Sequence, residues 1–514
     1  MSTILDQTDT EDRQGPKRVS SRSGIPPLDP ENWDDLRTLG SRMVDDVMTY
    51  LSTIGDGPVW RPVPKDVRAR LSEPLNKEGV GEAAAYDAFL RDVLPYGIGN
   101  PHPRFWGWVI GSGTPFGALA ELLAATMNPN VSGISGAPVL VEHQTIEWLK
   151  ELLGYPSTAS GLFLSGGSMA NLVGIAVGLS RHAGFDVLTE GLARAPQPPI
   201  LYTSSQTHFS VSKSARTLGI GSRGVRVVPV TSEYSMDLAA LESAIREDRA
   251  NGLHPFAIAA TAGTTNTGAF DDLNALADLA EHEDLWLHVD GAFGAFAALV
   301  PELEHLVEGM ERADSLAFDL HKWFLAPIEA GVVLVRDADA HFNAFTADAG
   351  YVKGLPGGLA KYDLSYHALG PQLTRGFKAL KVWLALKAHG VAPYAEVVRA
   401  NVEQARYLER LIGAHADLQL MAPVPLNVVC FRYVGRGGQS AVRSEGTEDR
   451  LDSLNTDVLV RLQEEGIAAP TSTLLGGRFA LRVCITNHRM RLEDMDLLVN
   501  EVVRLARELE GGPT

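Results

Sequence analysis

Between about residues 100 and 390 the sequence alternates helical stretches with short runs that are apolar on both faces. Seven such runs follow one another along the chain: GLFLS, PILYTSS, GVRVVPV, FAIAATAG, LWLHVD, SLAFDL and AGVVLVRD. Strands that are apolar throughout are buried on both faces, and their alternation with helices is typical of a mainly parallel sheet covered by helices. We therefore predict a large α/β domain over residues 99–390.

The remainder of the chain predicts smaller units around this domain. Residues 1–28 are polar and rich in charge, Gly and Pro, which predicts a mobile tail. Residues 29–98 carry two helical patterns, which we interpret as an arm that packs against a partner surface. Residues 391–514 read helix, strand, helix, strand and helix, and they predict a small C-terminal α/β domain. A chain of 514 residues is long enough for such a division.

The charge balance excludes several classes of partner. The formal net charge is −18 and no run of Lys and Arg offsets it, so we expect neither nucleic acid nor a membrane surface as a partner. The first residues are acidic, unlike a targeting peptide, and no window is apolar enough to span a membrane. Cys430 and Cys484 lie in apolar strand-like contexts, which predicts buried thiols in a reducing cytoplasm; the alternative is a structural disulfide between them.

Two glycine-rich stretches invite a phosphate-binding interpretation. In FLSGGSMANL, residues 163–172, a strand ends at small residues and a helix begins, so the backbone NH groups of Gly166, Gly167 and Ser168 can bind an anion. Taken alone, the same pattern also suits a capped helix with tight packing. GIGSRG, residues 219–224, follows a helix and precedes a strand, which is the wrong order for a dinucleotide site and predicts a turn.

A carboxylate and an amine follow two of the predicted strands. Asp290 ends the strand in HVDGAFGA and would lie at the carboxyl edge of the sheet, where α/β folds bind ligands; the alternative is a helix N-cap. Lys322 in DLHKWF has apolar neighbours, and a buried Lys with a lowered pKa suits Schiff-base chemistry. The alternative for Lys322 is a packed stem with its amine in water.

His208 completes a set of groups that matches one ligand. It follows the strand PILYTSS, where an imidazole could stack on a flat ring or shuttle a proton, or could be a hydrogen-bonded structural residue. The set consists of a phosphate site at a helix N-terminus, a carboxylate for a ring nitrogen, a Lys for an aldehyde and a face for stacking. Together these groups predict pyridoxal 5′-phosphate as the cofactor, and we expect no metal ion.

Seven segments resemble the group II pyridoxal-phosphate-dependent amino acid decarboxylases, which include aromatic-L-amino-acid, glutamate and cysteine-sulfinate decarboxylases. They are GNPHPRFWGW, SGGSMANL, TSSQTHFSVSKSA, ATAGTTNTGAFDD, HVDGAF, DLHKWF and TADAGYVKG. The resemblance covers about residues 30–510. It implies an aspartate-aminotransferase-like fold, a cytoplasmic homodimer wrapped by the N-terminal arm with active sites near the interface, and decarboxylation of a small-molecule L-amino acid.

The resemblance also implies roles for individual residues. Lys322 would form the Schiff base, Asp290 would pair with the pyridine nitrogen, and His208 would lie over the ring. Tyr351 would protonate the carbanion of the quinonoid intermediate after CO₂ leaves, and related aldehyde synthases carry Phe there. The implied cofactor-binding residues are Gly166, Gly167, Ser168, His208, Thr265, Asp290, Ala292, His321 and Lys322.

The expected substrate pocket departs from that of the aromatic-amino-acid enzymes. A Pro-Thr pair of those enzymes corresponds here to Ile110 and Gly111, and an aromatic residue contributed across their dimer interface corresponds to Ser132. Trp106 and Trp108 could still supply an aromatic wall, or they could be core residues. We take Trp108 and Gly111 as the candidate substrate contacts, with a slight preference for an aromatic over a small acidic amino acid.

Two further residues leave the interpretation open. Asp319 stands where the family often has Asn, and its charge would repel a phosphate unless it is turned away or protonated. Arg482 in FALRVCIT could clamp a substrate carboxylate, as an aminotransferase requires, or could face solvent or form a salt bridge. The alternatives to a decarboxylase are therefore an aminotransferase or a decarboxylating aldehyde synthase on the same fold.

Overall fold

The computed structural model describes residues 28–346, 356–359, 361, 364–435 and 447–511. Most of the predicted tail therefore lies outside the described residues. The α-helices are α1 (Trp33–Ser52), α2 (Lys65–Arg70), α3 (Glu82–Asp92), α4 (Pro115–Met127), α5 (Ala137–Leu152), α6 (Gly167–His182), α7 (Val187–Glu190), α8 (Phe209–Thr217), α9 (Leu238–Ala250), α10 (Leu273–Glu283), α11 (Ala338–Phe345), α12 (Ala379–His389), α13 (Ala392–Ala414), α14 (Thr447–Glu464) and α15 (Leu492–Gly511).

The strands form two sheets. They are β1 (Ser160–Leu164), β2 (Pro199–Ser204), β3 (Val225–Val228), β4 (His254–Thr261), β5 (Trp286–Asp290), β6 (Ser315–Asp319), β7 (Gly331–Val335), β8 (Leu418–Leu420), β9 (Val428–Tyr433), β10 (Thr471–Leu475) and β11 (Arg478–Cys484). The larger sheet has seven strands in the order β1-β7-β6-β5-β4-β2-β3, and the smaller has four in the order β10-β11-β9-β8.

The larger sheet confirms the predicted mainly parallel architecture. All seven apolar runs form strands, and only β7 runs against the others, pairing antiparallel with both β1 and β6. Every residue of β5, β6 and β7 is buried, as their continuous apolar composition requires for strands covered on both faces. The connecting helices α9, α10 and α11 each begin at an Asp whose side chain accepts a backbone NH of the first turn.

The smaller sheet is antiparallel throughout and has its own hydrophobic core. Trp106 belongs to that core: it is fully buried, its indole NH lies 3.2 Å from Sδ of Met490, and its carbonyl accepts the NH of Cys484. The structure thus makes Trp106 a core residue and not a wall of the substrate pocket. Cys430 and Cys484 are buried free thiols, as predicted.

The N-terminal helices lie on the outside of these two units. None of the residues of α1 is fully buried, and its contacts with α3 include an ion pair between Arg42 and Asp87 and a hydrogen bond from Tyr86 to Asp46. Four of its large apolar side chains are exposed: Trp33, Leu36, Met43 and Val44. Among the described residues, no helix is both long enough and apolar enough to cross a membrane.

The GIGSRG stretch forms a turn, as predicted from its position between a helix and a strand. Helix α8 ends at Thr217, and Gly219 and Gly221 follow with φ values of +85° and +76°. Such left-handed backbone favours glycine because a Cβ atom would be strained there. A single 3-10 turn (Ser222–Gly224) follows and the chain enters β3 at Val225, so among the described residues no α-helix begins in this loop.

Candidate active site

The predicted functional residues meet at one edge of the larger sheet. Strands β1, β5 and β6 all end there, and β7 starts there: Gly331 is paired with both Leu164 and Asp319, and Asp290 is paired with Ala317. Lys322 follows β6 by three residues. The carboxyl ends of parallel strands form the ligand-binding crevice of an open α/β sheet, so the topology brings these distant parts of the chain together.

The predicted anion site lies at the first turn of α6. Gly166 is the N-cap residue with extended backbone, Gly167 begins the helix, and among the described residues no side chain caps this end. The first NH groups of a helix lack partners within the helix, so those of Gly167 and Ser168 are available to an anion. A Cβ atom on Gly166 would stand 3.2 Å from Cε1 of His321, which places that imidazole beside the turn. We call Gly166, Gly167 and Ser168 the phosphate cup.

Asp319 is the partner of Lys322. Its Oδ2 lies 2.9 Å from Nζ of Lys322, and the carboxylate side chain is 2% exposed against 21% for the lysine. Burial lowers the pKa of Lys322, but the carboxylates of Asp319 and Asp290 outweigh it, so the pKa of Lys322 is raised above its ordinary value. The lowered pKa expected from the sequence is therefore wrong, because a carboxylate stands beside the amine.

Asp290 is held at the end of β5 by two donors. Its Oδ1 accepts the backbone NH of Ala292 at 3.1 Å, and its Oδ2 accepts the side-chain amide of Asn171 at 2.7 Å. Asn171 lies on α6, and the carbonyl of Ala292 in turn accepts the NH of Asp319. These contacts fix the orientation of the Asp290 carboxylate and tie it to the neighbouring strand.

A buried chain of side chains behind Asn171 has a single hydrogen-bond direction. The carboxylate of Asp290 can only accept, so one amide hydrogen of Asn171 faces it and Oδ1 of Asn171 faces Nε2 of His288 at 3.0 Å. Nε2 of His288 therefore carries a proton and donates to this oxygen. Burial lowers the pKa of His288 to about 4, so this ring is neutral near pH 7 and its Nδ1 is an acceptor. Oγ of Ser315 accepts from the indole of Trp286 at 2.9 Å and donates to Nδ1 of His288 at 2.8 Å.

The backbone of α8 sets the tautomer of His208. The NH of Ser210 donates to Nδ1 of His208 at 3.3 Å, and the Ser210 hydroxyl, which accepts the second amide hydrogen of Asn171 at 2.9 Å, donates to the same nitrogen at 2.8 Å. Nδ1 of His208 is thus an acceptor, and the proton of the neutral ring sits on Nε2. Burial is the largest influence on the pKa of His208, which is lowered despite the nearby Asp290.

Gly111 lies directly against the lysine backbone. A Cβ atom there would stand 2.3 Å from the carbonyl oxygen of Lys322 and 2.4 Å from that of His321, so only glycine fits without a shift of that segment. The structure thus places this candidate substrate residue at the site. Trp108, three residues before Gly111, is exposed over more than half of its surface. Its backbone carbonyl accepts a hydrogen bond from Nη1 of Arg482.

Arg482 connects the smaller sheet to the site. It is 3% exposed and donates to the carbonyl of Thr265 at 2.7 Å and to that of Trp108 at 2.8 Å. Its Nη2 has no hydrogen-bond partner among the described residues. The structure excludes the solvent-facing position that the sequence left open, and no carboxylate of the described chain is paired with this guanidinium.

Sequence reasoning missed the residues that support the site. Asn171 and His288 were visible within SGGSMANL and HVDGAF, where a polar residue inside a buried helix or strand signals a buried partner. Ser210 and the pairing of Asp319 with Lys322 had no local signal. Tyr351 lies outside the described residues, so its position stays a prediction.

The residues present fit a phosphorylated pyridine aldehyde. An uncapped helix N-terminus suits the phosphate, the fixed Asp290 carboxylate suits a protonated ring nitrogen, and Lys322 supplies an amine for the aldehyde. One feature departs from this fit: Oδ1 of Asp319 is buried beside the phosphate cup and has no hydrogen-bond partner among the described residues.

The chain is similar to known proteins over most of its length. The family described as "Pyridoxal-dependent decarboxylase conserved domain" matches residues 74–434. An aromatic-L-amino-acid decarboxylase of Bacillus atrophaeus is 32% identical over 479 residues, covering 93% of this chain and 96% of that protein. A cysteine sulfinic acid decarboxylase of Homo sapiens is 30% identical over 494 residues, covering 92% and 96%. The crystal structure of mouse CSAD, 26% identical, superposes with a TM-score of 0.86 over 92% of this chain and 99% of that chain.

Proposed function

Because this chain belongs to the pyridoxal-dependent decarboxylase family, we propose that it converts an L-amino acid into the corresponding amine and CO₂, with Lys322 as the lysine that holds the cofactor. The enzyme is a lyase of the aspartate-aminotransferase-like fold, and its cofactor is pyridoxal 5′-phosphate. The observation that carries the proposal is the meeting of Lys322, Asp290 and the N-terminus of α6 at one sheet edge.

When bound, pyridoxal 5′-phosphate supplies an aldehyde for amines and a ring that accepts the electron pair left by CO₂. The phosphate cup and His321 would hold its phosphate, and Ala292 and Thr265 would line its ring. Asp290 would hold a proton on the ring nitrogen, since its carboxylate is already oriented by Ala292 and Asn171. His208 would lie over the ring with the proton of its neutral imidazole on Nε2.

The surroundings of Arg482 favour decarboxylation over amino-group transfer. An aminotransferase clamps the substrate carboxylate with an Arg, whereas Nε and Nη1 of Arg482 are used by the main-chain carbonyls of Thr265 and Trp108, which leaves Nη2 without a partner among the described residues. A carboxylate that is weakly held and poorly solvated leaves more readily as CO₂. We therefore prefer the decarboxylase to the aminotransferase for this site.

For the substrate we propose an aromatic L-amino acid, with a small acidic amino acid as the second candidate. The Bacillus relative named as an aromatic-L-amino-acid decarboxylase supports the first, and the human relative named as a cysteine sulfinic acid decarboxylase supports the second. Gly111 packs directly against the Lys322 backbone, and the exposed side chain of Trp108, three residues before it, offers an apolar ring for an aromatic substrate.

We further propose that the enzyme is a homodimer whose arm covers the partner. Large apolar side chains are exposed on both α1 and α4, and a contiguous exposed apolar surface is typical of an interface. The exposed large apolar residues on these two helices are Trp33, Leu36, Met43, Val44, Phe116, Leu122, Leu123 and Met127.

A product assay tests the proposed reaction. The purified enzyme with pyridoxal 5′-phosphate is given a panel of aromatic and acidic L-amino acids, and mass spectrometry distinguishes amine, aldehyde and keto acid while released CO₂ is measured. We expect CO₂ and amine in equal amounts from an aromatic substrate, and none from the Lys322→Ala variant. Keto acid formed without CO₂ would reject decarboxylation in favour of amino-group transfer.

The Tyr351→Phe variant tests the proposed proton donor. A phenolic OH that protonates the substrate carbon favours the amine, so its removal should lower amine formation and raise the share of aldehyde. The ratio of the two products is read by mass spectrometry on the substrate found in the panel. If the ratio is unchanged, Tyr351 has no part in choosing the product.

A further inference from the structure

Asp319 lies between the phosphate cup and the lysine. Its Oδ2 is 2.9 Å from Nζ of Lys322, and the same oxygen would be 2.8 Å from a Cβ atom on Gly167. Its Oδ1 is buried without a hydrogen-bond partner among the described residues, 3.6 Å from where a Cβ atom on Gly166 would stand. One carboxylate therefore forms an ion pair and also forms a wall of the anion site.

The ion pair with Lys322 keeps Asp319 charged, and this charge is unfavourable once a phosphate enters the cup. A charged carboxylate beside a phosphate dianion repels it strongly, because the surroundings are poor in water. Lys322 has a conflict of its own, since an ammonium nitrogen has no lone pair with which to bond to an aldehyde carbon. Moving one proton from Nζ of Lys322 to Oδ2 of Asp319 removes both obstacles.

We propose that Asp319 accepts the proton that Lys322 must give up, and that it thereby sets how tightly the cofactor phosphate is bound. In this transfer the electron pair of the broken N–H bond stays on Nζ as a lone pair, so the amine becomes neutral, and a lone pair of Oδ2 forms the new O–H bond of a carboxylic acid. The acid then donates a hydrogen bond to the phosphate where the carboxylate would repel it. The inference rests on the proposed position of the phosphate at the cup.

The other titratable groups around Asp319 leave Lys322 as its nearest charged donor. Nδ1 of His321 lies 3.8 Å from Oδ1 of Asp319, and the ring of His208 faces the same charges. Burial lowers the pKa of His321 and of His208, so both rings are neutral near pH 7. Asp290 is already engaged by Asn171 and Ala292.

The Asp319→Asn variant separates charge from shape. Its amide can donate to a phosphate but cannot accept a proton from Lys322. The probes are 4-deoxypyridoxine 5′-phosphate, which has no aldehyde, and 4-deoxypyridoxine, which also lacks the phosphate; both are titrated by quenching of tryptophan fluorescence. We expect the variant to bind the phosphorylated probe about tenfold more tightly or better, with affinity for the other probe unchanged within about twofold.

A second readout follows the lysine itself. Removing the neighbouring carboxylate lowers the pKa of Lys322, so the rate at which pyridoxal 5′-phosphate binds covalently should reach its plateau at a lower pH in the variant. This rate is followed by visible absorption. An unchanged pH profile, or an equal gain in affinity for both probes, would overturn the proposal. Asp319→Ser replaces Asp319→Asn if the latter does not fold.

Two control variants keep the possible failures distinct. Asp314→Asn makes the same change just before the start of β6, where Oδ2 accepts the NH of Leu287, and it should leave both affinities unchanged. Ser168→Ala should weaken the binding of the phosphorylated probe and leave the binding of the other probe unchanged. If it does so while Asp319→Asn gives no gain in affinity, the phosphate position at the cup is supported and the role of Asp319 is rejected. If neither variant changes the affinity, the phosphate position and the role of Asp319 are both rejected.

Discussion

At the scale of single residues, the site depends on side chains that orient others. The hydrogen-bond chain that starts at Trp286 ends at Asp290 and His208, and Asn171 is its branch point. Because a carboxylate can only accept, Asn171 presents one amide hydrogen to Asp290 and the other to Ser210, while its oxygen faces His288. Asn171 and the NH of Ala292 together orient the Asp290 carboxylate, and Ser210 sets the tautomer of His208.

The Asn171→Asp variant should weaken cofactor binding by about tenfold to a hundredfold. The change keeps the shape but replaces a donor 2.7 Å from Oδ2 of Asp290 by a like charge, and a hydrogen bond to a charged group contributes about 1.5–3 kcal/mol. Cofactor affinity is measured by absorption titration. Asn455→Asp is the control, because that buried amide donates to the carbonyls of Tyr433 and Leu451 in the other core.

Both variants should lower the free energy of unfolding, since each leaves a buried charge without a partner. Only Asn171→Asp should change cofactor affinity. Equal losses of affinity in the two variants would mean that the effect comes from reduced stability, and it would contradict the orienting role of Asn171.

At the scale of elements, the site is assembled from the ends of strands and the start of a helix. Strands β5 and β6 are neighbours in register, so Asp290 and Asp319 come to the same edge, and α6 begins where β1 ends. The small antiparallel sheet then contributes Arg482 from β11. The arm, residues 29–98, is the part that we propose packs against a second copy of the chain.

Charged substitutions on α1 should weaken that proposed dimer. Leu36 and Met43 are seven residues apart on an exposed apolar stripe, so Leu36→Asp combined with Met43→Asp should raise the dimer dissociation constant by about tenfold or more. Thr38→Asp places a charge at an exposed position on the opposite face of the same helix and is the control. Sedimentation velocity measures both variants, and a dimer of unchanged strength would show that this stripe is not the interface.

At the scale of the whole molecule, the site lies where the two cores meet. The segment containing Trp106 precedes the larger sheet in the chain but packs into the core of the smaller one, and Arg482 reaches back to Thr265 of the larger unit. Both units also bury neutral histidines: the pKa values of His102, His288, His341 and His488 are lowered to about 4, mainly by burial.

These histidines predict a loss of stability in mild acid. Between pH 6.5 and 4 the unfolded chain binds protons that the folded chain does not. For each of these groups the free energy of unfolding therefore decreases by about 1.4 kcal/mol for every pH unit by which the pH is lowered. Urea unfolding at several pH values measures this slope. His341→Gln should reduce it, whereas His282→Gln, at an exposed side chain, should leave it unchanged; equal slopes in all three proteins would contradict the prediction.

The sequence by itself determined the features that depend on neighbours along the chain. Continuous apolar runs predicted the seven strands, the switch from strand to glycines predicted the phosphate cup, and the order of Asp290 and Lys322 indicated the cofactor. These features follow from local periodicity and residue type, which act over a few residues. The family resemblance supplied the residue roles, which stay proposals.

Only the tertiary structure decided which groups face one another. Asn171 and Asp290 are 119 residues apart, and nothing near either residue identifies the other. The same holds for the burial of Arg482 and for Trp106 in the smaller core. Even Asp319 and Lys322, three residues apart, needed the fold, because the sheet edge and the start of α6 bury the carboxylate beside the amine and so raise the pKa of Lys322, which burial alone would lower.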